Sequence, residues 1–295
     1  MAAKIWWLAS YPKSGNTWLR LMLAAILLRK PPDINRLAFL GTNASNRLAF
    51  DRIIGLESAD LSLKQQIMLR PRVYEVWAAE AQRPLCCKAH DAYDLTPAGE
   101  PLFPTAATYG AIYVVRDPRA VAVSFAHHTL DSIDGAIARM NDPNASFSNP
   151  SWLLPQQLHQ RLLRWSEHVE SWLSAPFPVH LLRYEDMKAD PHAAFGAIAA
   201  VLGLPGDRES IAAAVDATSF SHLQAQERAS GFIEKPYRAA AFFREGRIDG
   251  WHETLTAEQA ERIVAAHGPV MRRLGYDTTL MPYQRQRAEA NSLQA

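Results

Sequence analysis

The run from Ser10 to Trp18, Ser-Tyr-Pro-Lys-Ser-Gly-Asn-Thr-Trp, limits most what this chain can fold into. An apolar segment, Ile5-Trp6-Trp7-Leu8-Ala9, precedes it, and a helix-like one, Leu19 to Leu28, follows. Strand, tight loop and helix aim free backbone N–H groups and the positive end of a helix dipole at one spot. A Lys inside so short a turn is unusual unless an anion offsets its desolvation. The loop is therefore expected to hold an anion. It departs from the G-x-x-x-x-G-K-[ST] pattern, since it carries one Gly and Lys13 precedes Gly15. A bare strand-to-helix turn capped by Ser14 or Asn16 is the plainer reading. Trp18 is either core or a flat surface on which a base can stack.

The alternation continues along the chain. Candidate strands at 4–9, 85–88, 111–115 and 179–182 are apolar without alternating, as strands covered on both faces should be. Helical patterns lie near 16–28, 61–82, 118–140, 155–174, 191–202, 208–217 and 256–274. The expected fold is α/β: a single domain with a central parallel sheet and helices on both faces, of the P-loop-containing nucleotide-binding type. That domain is expected over residues 1–280, with a polar C-terminal tail at 281–295. Pro191 opens one helix and Gly203-Leu204-Pro205 closes it. Thr256 and Gln259 form a capping box, and Pro269 is expected to kink or split the helix that follows. Segments 29–60 and 141–155, rich in Pro, Asn, Ser and Asp, are expected to be loops.

Charge narrows the partners. A net charge of +1 gives no broad basic field, so nucleic acid is not expected and any anion site must be a local cluster. Cys86 and Cys87 are adjacent, which does not suit a disulfide, and no Cys/His spacing suits zinc. The apolar run 19–28 is too short to cross a bilayer and contains Arg20. A cytoplasmic protein with no membrane partner and no metal is expected.

Other segments could carry chemistry. Ile112 to Val115 lead into Arg116-Asp117-Pro118, so Arg116 stands at a strand's carboxyl end, where open α/β sheets bind ligands, with Ser124 two helical turns on. Arg116 and Asp117 also suit a structural ion pair, and Asp117 suits the magnesium-holding Asp of a P-loop NTPase. Lys88 and His90 are two apart at another strand end and can face one side, as a base with an electrostatic helper. Arg183 to Met187 follow a third strand, and Thr218-Ser219-Phe220 end a helix. Phe242 to Trp251 hold two Arg and two Gly among aromatics, as a loop closing over a multiply charged ligand would.

Taken together these pieces resemble the sulfotransferases that use 3′-phosphoadenosine 5′-phosphosulfate (PAPS). The family's Y-P-K-S-G-T-T-W is similar to Tyr11–Trp18, with Asn16 for one Thr. Its strand-end Arg with a Ser eight residues on matches Arg116 and Ser124, and its K-T-H matches Lys88-Ala89-His90. Y-E-D-M recurs as Tyr184–Met187, T-S-F as Thr218–Phe220, and R-K-G-x-x-G-D-W-K-N-x-F-T loosely as Arg244–Thr256. Glu245 replaces a Lys there, and Asp249-Gly250 reverses the family's order. The K-x-x-x-T-V-x-x-x-E dimer signature of the animal enzymes reads His252, Thr256, Ala257 and Glu261, which leaves a homodimer open.

The resemblance implies PAPS as co-substrate and a small-molecule acceptor. It implies that Lys13, Ser14, Gly15, Asn16, Thr17 and Trp18 hold the phosphosulfate and stack the adenine. Arg116, Ser124, Arg244 and Gly246 would hold the 3′-phosphate, and Tyr184, Thr218 and Phe220 would line the adenine pocket. His90 would take the proton of an acceptor hydroxyl or amine that attacks sulfur in line, with Lys13 and Lys88 stabilising the charge. Acceptor contacts are expected from segments 29–60, 91–105, 127–155 and 221–242. Phe39, Phe50, Tyr93, Phe103, Phe125 and His127 are candidates there, although core packing explains each equally well. A P-loop kinase using ATP and magnesium, and a non-catalytic nucleotide-binding module, are the alternatives.

Overall fold

Burial on both faces explains why the strands show no alternation. The computed structural model describes residues 4–147, 155–236, 239–244 and 246–279; the tail 281–295 and Glu245 lie outside them. Strands β1 (Ile5–Ser10), β2 (Leu85–Ala89), β3 (Thr108–Val115) and β6 (Val179–Arg183) form a parallel sheet in the order β2-β1-β3-β6. Two short strands, β4 (Ser146–Phe147) and β5 (Gln160–Arg161), pair antiparallel beside it. Along β1, Trp7 and Ala9 enter one core and Leu8 the other. Along β3, Ala111, Tyr113 and Val115 share the first core, and Ile112 and Val114 the second. The pleat thus splits one apolar run between two layers.

The helices up to the sheet's edge are α1 (Asn16–Leu28), α2 (Arg47–Ile54), α3 (Leu63–Glu80), α4 (Pro118–Thr129), α5 (Ile133–Met140) and α6 (Trp165–Leu173). Then come α7 (Tyr184–Ala189), α8 (Pro191–Leu202), α9 (Arg208–Ala217), α10 (Phe220–Ser230), α11 (Trp251–Thr254) and α12 (Ala257–Arg273). Helices α3, α4, α5, α6 and α12 cover the first face; α1, α8, α9 and α10 cover the second. Trp7 anchors the first core, edge-on to Tyr74 at 5.0 Å and Phe103 at 4.7 Å, its indole N–H donating to Thr108 Oγ1. Each such fully buried side chain contributes about 1.5–3 kcal/mol of hydrophobic stabilisation.

Several expectations need correction. The pattern at 118–140 is two helices: Leu130, with φ of 57°, ends α4, and Ser132 caps α5 through the Gly135 N–H. Of 155–174 only α6 is helical, because Gln160 and Arg161 pair with β4. Segment 29–60 is not all loop, since Asn46 caps α2 through the Ala49 N–H. Pro269 does not split α12. Packing of Ile263, Val270 and Met271 into the core outweighs its missing hydrogen bond. Cys86 and Cys87 are free thiols, and burial raises the pKa of both.

Candidate active site

The carboxyl ends of the strands open onto a cavity of about 320 Å³. The loop after β1 enters it under backbone constraint: Lys13 has φ of 69° and Gly15 φ of 108°. A Cβ on Gly15 would stand 2.6 Å from Tyr184 Cδ2, so only glycine lets the ring lie against the loop. The same ring takes the Arg116 guanidinium at 4.5 Å, and its hydroxyl donates to Gly246 O at 2.9 Å. Tyr184 therefore joins the first loop to the last one. Arg116 Nη1 donates to Lys13 O at 3.3 Å and Nη2 to Arg247 O at 2.8 Å, while its buried Nε has no partner.

Helix α1 starts with no side-chain cap, so its first N–H groups stay available at the cavity. The capping reading fails: Asn16 Nδ2 turns back to Leu8 O at 2.7 Å, and the Ser14 hydroxyl is buried without a partner. An unpartnered guanidinium N–H and an unpartnered hydroxyl beside open helix N–H groups form a donor set suited to a phosphate or sulfate. Lys13 Nζ lies 4.1 Å from the Phe242 ring centre. Burial, with the charges of Lys88 and Arg116 nearby, pulls its pKa down to about 7.

His90 follows β2 and is held by its backbone and its ring. Its Nδ1 is 2.8 Å from Ser10 O. A carbonyl only accepts, so Nδ1 carries the proton and Nε2 keeps its lone pair. Burial, and then the charge of Lys88, hold its pKa well below the usual 6.5, so the ring is neutral at neutral pH. His168 Nε2 donates to His90 O at 3.0 Å, and its Nδ1 accepts from Tyr113 Oη at 2.8 Å. The next residue, Asp91, takes a two-pronged ion pair from buried Arg70, at 2.6 and 2.7 Å. A neutral base with a fixed tautomer stands at the end of a cationic cavity.

Lys13, Gly15, Asn16, Thr17, Trp18, Lys88, His90, Arg116, Ser124, Tyr184, Thr218, Phe220, Arg244 and Gly246 all line this cavity. Ser14 is buried just behind it. Trp18 meets Tyr184 and Phe195 edge-on, and its indole nitrogen points to Thr218 Oγ1 at 3.4 Å. Thr218 ends α9 as its C-cap, as expected, its N–H bonding back to Ala214 O, and Phe220 already opens α10.

The ion-pair reading of Arg116 is corrected: Asp117 pairs with Arg119, at 2.6 Å, and accepts its backbone N–H. Both carboxylate oxygens are thereby committed, which leaves Asp117 poorly placed to hold magnesium.

The acceptor-side candidates largely fail. Phe50, Phe103 and Phe125 are core, Tyr93 packs on Phe103, and Phe39 packs into the second core. Neither those five nor His127 line the cavity, and segments 29–60 and 91–105 contribute nothing to it. The expected segments 127–155 and 221–242 do reach it, through His128, Phe147, Ile233, Glu234 and Phe242, and Gln157 joins them. The His128 ring stacks on Phe147 at 6.0 Å, and burial, then Lys13 and Lys88, lower its pKa to about 3. Arg247 and Trp251, within the stretch 242–251 expected to close over a charged ligand, also line the cavity; Lys188 lines it too and was missed. Lys188 follows the Tyr184–Met187 motif directly, which is a signal that was available.

The chain is similar to known proteins along most of its length. Sulfotransferase 1A1 of Canis lupus familiaris is 25% identical over 289 residues, spanning 91% of this chain and 83% of that protein. Flavonol 3-sulfotransferase of Flaveria bidentis is 27% identical over 269 residues, spanning 87% and 78%. The crystal structure of mouse sulfotransferase SULT7A1 complexed with PAP superposes with a TM-score of 0.58 at 19% identity, covering 98% of this chain and 89% of that one. It shares the fold. The family model described as the sulfotransferase domain matches residues 4–275, and the chain belongs to that family.

Proposed function

We propose that the protein transfers a sulfuryl group from PAPS to the hydroxyl or amine of a small-molecule acceptor. The observation that carries this reading is the neutral His90, its Nε2 lone pair open to a cavity walled by Lys13, Lys88, Arg116 and Arg244. PAPS would supply the activated sulfuryl group and a bisphosphate leaving group. The α1 N–H groups with Lys13, Ser14, Gly15, Asn16 and Thr17 bind the phosphosulfate end, and Trp18, Tyr184, Thr218 and Phe220 surround the base. Arg116, Ser124, Arg244 and the Gly246 backbone hold the 3′-phosphate. His90 Nε2 accepts the acceptor's proton, and Lys13 and Lys88 stabilise charge on the reacting oxygens.

In this reading the lysines neutralise the leaving group and no metal is required. The catalytic unit is residues 1–280. Relatives named cytosolic sulfotransferases support a cytoplasmic location, and no described helix is long and apolar enough to cross a membrane. The test is a screen of phenols, alcohols, sugars and amines with sulfur-labelled PAPS, with EDTA in a parallel arm. Label appearing in an acceptor, undiminished by EDTA, is the expected result. Phosphoryl transfer from ATP with magnesium, and none from PAPS, would replace this reading with a kinase.

A further inference from the structure

Among the described residues lining the cavity, Glu234 is the single carboxylate, set among Lys13, Lys88, Arg116 and Arg244. An acid in a cavity for a polyanion opposes binding, so its placement calls for a reason. Segment 231–236 carries it over the cavity, tied down by Asn35: its Nδ2 donates to Gly231 O at 3.1 Å, and Ile233 N–H donates to its Oδ1 at 2.8 Å. The carboxylate bridges two cations, Arg20 at 2.6 Å and Lys88 at 2.9 Å. Arg20 stands on α1 outside the cavity lining, whereas Lys88 is part of the lining. Burial opposes ionisation of Glu234, but Lys88 and Arg20 outweigh it and keep the carboxylate charged.

We propose that Glu234 is a positioning residue that parks Lys88 while the cavity awaits its donor and reclaims it once the sulfuryl group has gone. This rests on the reading that Lys88 serves the sulfuryl group. Burial, and less so the charge of Arg20, push the Lys88 pKa down, and Glu234 opposes that shift. Glu234 favours the charged form of Lys88 and aims it. Arg20 keeps Glu234 paired when Lys88 turns to the donor, so no buried charge is stranded. The sulfuryl group and Glu234 then compete for one ammonium. Adenosine 3′,5′-bisphosphate, which lacks that group, does not enter the competition. Glu234 therefore sets how tightly the donor is held relative to its spent form.

The test is calorimetric titration of the full-length protein with PAPS and with adenosine 3′,5′-bisphosphate at about pH 6.5, where an ammonium beside a bound anion stays protonated. The proteins are wild type, Glu234→Gln, Lys88→Met and the double variant. Glu234→Gln is expected to tighten PAPS by about tenfold and to leave the bisphosphate within about twofold; in the Lys88→Met background its effect should vanish. An equal gain for both nucleotides, or a gain that persists without Lys88, would mean a general field effect and overturn the proposal. So would no gain at all. Glu234→Asp is too short to bridge both cations and should give part of the PAPS-selective gain. It decides the matter if the Gln variant does not fold. A wild-type protein that binds neither nucleotide overturns the sulfotransferase reading itself, which is a different result.

Discussion

His90 and Lys13 bring opposite protonation demands into one cavity. In the proposed mechanism the base must be neutral, and burial with the charge of Lys88 keeps His90 so. The same mechanism needs Lys13 charged, yet burial first, then Lys88 and Arg116, lower its pKa to about 7. Replacing His90 by Ala should cut turnover by about 10²–10⁴, the range typical of losing a general base, with bisphosphate affinity unchanged. Near-normal turnover in that variant removes His90 from the role. For Lys13 the sign follows from linkage. An anion binds the protonated form, so affinity is highest below pH 7 and falls as pH rises through that value, by up to about tenfold per unit. Bisphosphate titrations across pH 6–9 should show this slope in the wild type and lose it in Lys13→Ala. Both residues were legible because each sits at a strand end inside a short pattern. Glu234 was not: its partners Arg20 and Lys88 are far away in sequence, and no spacing announces them.

At the scale of elements, the lid over the cavity depends on α10. Glu227 on that helix accepts the Phe242 N–H at 2.7 Å and the Phe243 N–H at 2.9 Å, shaping the turn into Arg244. Glu227→Ala would strip two N–H groups of their partner at about 1–3 kcal/mol each when buried. The loss should appear as faster amide exchange in 239–244 and weaker bisphosphate binding. Unchanged exchange in that segment counts against the assignment. Helix α10 itself was not legible. Ser-His-Leu-Gln-Ala-Gln-Glu-Arg-Ala-Ser offers little apolar period, and among its residues only Leu223 and Glu227 are buried. The split of 118–140 was hidden for the converse reason, because apolar spacing carries on across the Leu130 turn. The four main strands, α1, α8 and α9 were readable: their ends coincide with Gly, Pro or capping residues, and their burial matches their composition.

Across the whole molecule, the site is a seam between two cores that share one sheet. Anion binding there should stabilise the entire fold. Bisphosphate at a hundredfold over its Kd should add about 2.7 kcal/mol and raise Tm without magnesium. ATP with magnesium should do much less, and the reverse ranking in a thermal-shift assay would favour the kinase. The fold class was readable because both cores draw on the same strands. The individual residues of the proposed acceptor side were not: segments 127–155 and 221–242 were expected there, but which side chains of theirs, and Gln157, reach the cavity is decided by tertiary packing. The Ser10 carbonyl that fixes the His90 ring also closes one side of it to proton traffic. With Nδ1 committed to that carbonyl at 2.8 Å, and the Ser10 hydroxyl farther off at 3.3 Å, a proton gained at Nε2 is expected to leave by the way it came, into the cavity. Until then an imidazolium sits beside Lys13 and Lys88 and tightens the hold on the spent bisphosphate. Turnover should therefore quicken when small basic buffers that reach the cavity are added, and a rate indifferent to them would show that the proton departs with the product.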